Sequence, residues 1–225
     1  MNFNKFVWTI SLFLSFSFNN IVYGSAAMLT SNQEVLKIAN SFPDGGGYDR
    51  KWSSSGVPKD LYFKNERIYK KSTSGTYCCA FTFAVMFEVA KNRGLLKDLS
   101  VGDVKKLKHK WFGADVSANT KIHAPVRAMM DFNIGNRVDN PELFALPGDF
   151  ILFWRQSDQI SWKNGHSVIF LGWVEENGEK IGIKYRSSQR SSKISGIGDK
   201  IEYFFGAKGK KGRLNWDRIV FSRLF

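Results

Sequence analysis

The stretch Thr76–Ala90, TYCCAFTFAVMFEVA, constrains this chain more than any other. It runs for 15 residues without Gly or Pro, is almost entirely apolar, and is followed by Lys91, Asn92, Arg93 and Gly94. That length and that polar, glycine-ended stop predict a helix around which the rest of the chain is organised. Thr76 or Ser74 can serve as its N-cap. The helix opens with the only two cysteines of the chain, Cys78 and Cys79. One of them therefore sits where unpaired backbone N–H groups and the positive end of the helix dipole converge, which favours thiolate over thiol. Free cysteines are also among the most buried residue types, so core filling is the plainer alternative.

The beginning of the chain decides how that alternative is weighed. Residues 1–27 read as a signal peptide: a short basic start ending at Lys5, an apolar run with serines from Phe6 to Phe18, and small residues Gly24, Ser25, Ala26 and Ala27 for cleavage. The expected product is exported, to a periplasm, cell envelope or extracellular space, with residues 28–225 forming a single domain and a monomer. The apolar run is too short and too rich in serine for a membrane span, so no stable insertion is expected after signal removal. Exported proteins ordinarily use cysteines as disulfide staples. Two sequence neighbours close no useful loop and would bond with strain, so a reactive thiol is the simplest reason for the pair. The formal charge of +13 suits a polyanion. Export favours an anionic cell-wall polymer or lipid over nucleic acid, and no nucleic-acid partner is expected. Three scattered histidines without clustered carboxylates imply no metal and no cofactor.

Helical patterns fill the first half. Ser31 with Glu34 looks like a capping box for a short helix ended by Phe42–Tyr48, whose three glycines make only a weak phosphate-loop signal. Residues 49–71 read as a surface segment that could line a groove, with Trp52 among the charges. Further helices are expected from Asp98 and over Thr120–Phe132, with His109 and His123 at the surface. The second half is strand-like: Phe150–Trp154, His166–Val174 and Lys180–Gln189, then a Gly/Ser loop Ser191–Asp199, then Ile201–Phe205 paired with Arg218–Leu224. Helices first and strands afterward make the α+β class. Asn177-Gly178 is the signal of a two-residue hairpin, in which facing residue numbers sum to 355. His166 then faces Gln189 on the same side of the sheet, where an amide could orient an imidazole toward a thiol. A polar hairpin end in solvent is the competing reading.

Cys78-Cys79-Ala80-Phe81 at a helix start, then Pro147-Gly148-Asp149 before an apolar strand, then Gly165-His166 followed by Val168, Ile169 and Gly172, and a polar residue on the next strand, form an ordered set. In that order it resembles the papain-like cell-wall hydrolases of the NlpC and CHAP kind over about Tyr77–Gln189. The resemblance implies an α+β papain-like fold with the nucleophile at a helix start packed on an antiparallel sheet. It implies catalytic Cys78, His166 and Gln189, and peptidoglycan stem peptides as the substrate; Tyr77, Trp52 and Trp154 are the expected substrate contacts. Tyr77 stands where many of these enzymes have Asp or Gln, and Gln189 where they have His, Asn or Asp. Two other readings stay open: a non-enzymatic basic binding protein of the cell surface on the same fold, and a cysteine acyltransferase or secreted wall-degrading toxin.

Overall fold

The computed structural model of the chain describes residues 28–113, 124–157, 164–191 and 195–225. The expected signal peptide and His123 lie outside these residues. Among them are helices α1 (Ser31–Ser41), α2 (Cys78–Asn92), α3 (Val101–Trp111), α4 (Ala124–Asp131) and α5 (Pro141–Phe144). The strands are β1 (Gly45–Gly46), β2 (Leu61–Phe63), β3 (Glu66–Tyr69), β4 (Gly135–Arg137), β5 (Phe150–Arg155), β6 (His166–Glu176), β7 (Glu179–Arg190), β8 (Ser195–Tyr203) and β9 (Leu214–Leu224). Seven strands form one antiparallel sheet in the order β1-β8-β7-β6-β5-β9-β4, and β2 pairs with β3. The class is α+β. No helix of the described residues is long and apolar enough to cross a membrane.

The apolar stretch is the central helix α2, and its composition explains its place. Phe81, Phe83, Ala84, Val85, Met86 and Phe87 are fully buried, so every side of the helix is covered. The α1 and α3 helices and the β2–β3 hairpin pack around it, and the sheet closes it off through Phe150, Ile169, Ile197 and Leu224. The opposite face of the sheet buries Ile151, Phe153, Val168, Phe170, Ile183, Tyr185 and Phe221, with no helix over it among the described residues. The sheet curls instead until β8 and β9 meet, with Phe205 N–H donating to Leu214 O at 2.7 Å and Arg213 N–H to Tyr203 O at 3.0 Å. Strands buried on both faces explain the near-continuous apolar runs of β5 and β6.

Pro147-Gly148-Asp149 is a structural joint. Asp149 is fully buried, paired with Arg223 at 2.7 Å, and accepts from Asn32 Nδ2 at 2.9 Å and Leu146 N–H at 2.8 Å. Gly148 has φ +98°, and a Cβ there would lie 2.5 Å from Asn32 O. The joint fixes where β5 begins, and β5 in turn pairs Phe153 with His166.

Several local expectations are corrected. Thr30, not Ser31, caps α1, in a reciprocal box with Gln33. The α2 helix is capped by neither Thr76 nor Ser74: Tyr77 occupies the N-cap and makes no side-chain cap bond, because the Thr76 hydroxyl is bonded to Ser188 on the sheet at 2.8 Å. Residues 61–69 form a hairpin, turning at Lys64 and Asn65 with positive φ, that buries Leu61, Phe63 and Ile68. Ser195–Asp199 belong to β8 rather than to a loop, and β8 pairs with β7 while β9 pairs with β5. The glycines that suggested a loop serve a close approach: a Cβ on Gly196 would lie 1.9 Å from Gly45 O. Nor are Gly45, Gly46 and Gly47 a phosphate loop; the first two pair with β8 as an edge strand.

Candidate active site

Cys78 is the first residue of α2, where helix geometry leaves its own N–H and that of Cys79 without intrahelical partners. The thiol of Cys78 is held well below the ordinary cysteine range. The neighbouring Cys79 thiol, then the His166 imidazole and the Ser167 N–H, favour the thiolate and together outweigh burial. Cys79 moves the opposite way, pushed well above the ordinary value by burial and by its neighbour Cys78. It packs against the α2 core rather than lining the cleft. The two adjacent thiols are thus pushed in opposite directions, Cys78 toward thiolate and Cys79 toward thiol.

His166 is the first residue of β6 and is buried. Its ring is gripped by perpendicular contacts with Phe153 at 5.4 Å and Tyr185 at 5.6 Å. Its Nε2 has no hydrogen-bond partner among the described residues, which leaves Nδ1 to serve the sulfur. The strand is locked to α2 one turn past Cys78. Thr82 Oγ1 donates to Cys79 O at 3.2 Å, shares a 2.7 Å bond with Ser167 Oγ, and accepts from Trp111 Nε1 at 3.1 Å. Ser187 Oγ donates to Ser167 O at 2.7 Å, adding β7 to the same network. Every member is satisfied inside the core, which is when such a network fixes a geometry.

Gln189 reaches the site but does not orient the histidine. The β6–β7 pairs follow the sum 355 next to the turn, shift to 356 over Gly172–Val174, and return to 355 at Phe170↔Tyr185 and Ile169↔Arg186. Two irregularities cancel, so residue 189 falls on the side of residue 166, and both line the cleft. The expected bond to His166 is nevertheless not formed. The amide of Gln189 turns to its own strand, with Nε2 donating to Ser187 O at 3.5 Å, while aromatic rings hold the imidazole.

The expected aromatic contacts separate as well. Trp52 lines the cleft, at φ +55° and 42% exposed, and lies on Tyr77 at 4.6 Å. Tyr77 is buried beneath it and donates its hydroxyl to Ser54 O at 3.3 Å, so it is a platform and not a cleft residue. Trp154 is buried with Leu152 and Ala124, away from the cleft lining, because its position in β5 points it into a small apolar cluster. His109 is exposed on α3.

Tyr48 escaped the sequence reading. It lines the same cleft as Cys78, and burial followed by the charge of Cys78 pushes its pKa far up, so its hydroxyl stays a neutral donor. The glycine run carries it there: Thr76 N–H donates to Gly47 O at 3.0 Å, and Asp49 N–H to Thr76 O at 3.0 Å. A Cβ on Gly75 would lie 2.7 Å from Gly47. The signal was present as glycines paired across two segments, but only the fold shows what they bring together.

These groups open into a cleft of about 620 Å³ lined by Cys78, His166, Gln189, Tyr48 and Trp52, with Arg155, Arg190, Lys200 and Arg213 along its walls. No group of three His, Cys, Asp or Glu among the described residues could hold a metal. The arrangement can perform nucleophilic attack by sulfur, proton transfer by imidazole, and oxyanion stabilisation by a phenol and helix N–H groups. No family model matches the chain, and neither does any curated protein or solved structure.

Proposed function

We propose that this chain is an exported, papain-like cysteine peptidase or amidase that hydrolyses amide bonds of peptidoglycan stem peptides. The observation that carries the reading is the placement of Cys78, at the first residue of α2, with His166 in one open cleft, where Cys79 and the imidazole draw its thiol below the ordinary range. The Cys78 thiolate attacks the amide carbon, and the carbonyl electron pair moves to oxygen. Tyr48 hydroxyl and the N–H groups at the start of α2 receive that oxyanion. As the oxyanion collapses, the C–N bond breaks and protonated His166 gives its proton to the leaving amine. The acyl group stays on sulfur as a thioester. Neutral His166 then takes a proton from water, the hydroxide displaces Cys78, and the acid product leaves. The leader-like residues 1–27 and the +13 charge support an anionic envelope polymer as the place of action.

The substrate is tested by incubating the purified protein, and Cys78→Ala beside it, with peptidoglycan fragments and weighing the products. Wild type is expected to yield shorter fragments that have gained one water for each bond cut, and Cys78→Ala none. Fragments left intact by wild type would contradict the substrate class.

A further inference from the structure

We propose that the cleft wall beside His166 is a carboxylate-binding subsite, so that the leaving half of the substrate carries a carboxylate next to the scissile amide. This rests on the cysteine-amidase reading. Glu202 of β8 is buried at 6% exposure and gathers cations from three strands or their flanks. Arg155 binds it through two bonds, at 2.5 and 3.0 Å, and Tyr185 donates its hydroxyl to it at 2.9 Å. Lys200 stands at 3.5 Å and Arg213 at 3.7 Å. Three cations around one carboxylate leave net positive charge facing the cleft. The distances show where it resides. Arg155 is matched to Glu202 by a bidentate fork, whereas Lys200 and Arg213 touch only its margin, and the side chain of Arg213 is 60% exposed. Arg190 adds a fourth cation to the lining, and no Asp or Glu is among the described lining residues.

The side of the cleft follows from the order of contacts. Tyr185 packs its ring on His166 and points its hydroxyl at Glu202, so the cation cluster adjoins the site on the His166 side. His166 delivers its proton to the leaving amine, so what adjoins it on that side meets the leaving half. A guanidinium whose fork is open to solvent suits a planar carboxylate. Glu202 holds the two outer cations in place without neutralising them.

The test uses two peptides that differ only in the leaving residue, which ends in a free carboxylate or in a carboxamide. Binding to Cys78→Ala is measured by calorimetry, and turnover with wild type. The acid is expected to bind at least about tenfold more tightly, the scale of a charge-assisted bond, with the advantage shrinking as salt rises. The double variant Lys200→Gln, Arg213→Gln should bring the acid-to-amide ratio of kcat/KM close to one, through KM, while Arg213→Lys keeps part of it. Equal binding of the two peptides, or a preference that the double variant leaves intact, overturns the subsite. If the acid binds preferentially and wild type cleaves neither peptide, it is the cysteine-amidase reading that fails.

Discussion

Cys78→Ala should abolish amide turnover, with a loss on the order of 10⁴–10⁶ in kcat, the range found when a nucleophile is removed from a site that acts as a unit. His166→Ala should cost about 10²–10⁴, the usual contribution of a positioned acid-base group. Tyr48→Phe removes one oxyanion donor and should cost about 10²–10³ in kcat with KM nearly unchanged. Gln189→Ala should cost less than about tenfold, because its amide makes no bond to the imidazole and serves only as cleft lining. The ranking matters more than any single value. Gln189→Ala as damaging as His166→Ala would mean that the amide turns to the imidazole during turnover. Activity surviving in Cys78→Ser but lost in Cys79→Ser would reverse the nucleophile. Steady-state kinetics on one stem-peptide amide decides among these outcomes.

The second large effect concerns stability. Burial works to raise the Glu202 pKa, but hydrogen bonds and charge from Arg155, with help from Lys200 and Tyr185, bring it from 4.5 down to about 2. Because the folded value lies below the unfolded one, the stabilisation is fully present above about pH 4.5 and is lost as pH falls through about 2. A shift of that size corresponds to about 3 kcal/mol. Wild type should therefore lose about 3 kcal/mol more than Glu202→Gln between pH 5 and pH 2 in urea unfolding. Arg155→Ala should be destabilised by about 3–5 kcal/mol at neutral pH, since it leaves a buried carboxylate short of its main partner. Parallel pH profiles for wild type and Glu202→Gln would show that the pair does not govern acid stability.

The parts of this molecule that sequence made legible are those set by local pattern. The Thr76–Ala90 run could only be a buried helix, and its cysteines fall at the N-terminus whichever residue caps it. The Asn177-Gly178 turn places residue 189 on the side of residue 166, although two irregularities of opposite sense intervene. What stayed hidden depends on contacts far apart in sequence. Tyr48 comes to Cys78 because Gly75 and Gly196 let their backbone segments approach residues 45–47 closely. Glu202 looks like an exposed charge on an alternating strand, and only the curling of the sheet turns that face inward toward Tyr185 and Arg155. The α2 cap is hidden for a similar reason: Thr76 has the right chemistry to cap a helix but is committed to Ser188 112 residues away. An uncapped start leaves N–H groups for the oxyanion of the proposed reaction, so a local rule is broken where that reaction would need it.

The most direct test of the Cys78–His166 pairing is the rate of alkylation of each cysteine by iodoacetamide across pH, with the modified residue located by peptide mass. Cys78 is expected to react first, with a midpoint below the ordinary thiol value of about 8.5 that rises in His166→Ala, while half-buried Cys79, whose value is raised, reacts only at higher pH. A Cys78 midpoint at or above that value, or Cys79 labelled ahead of Cys78, would contradict it.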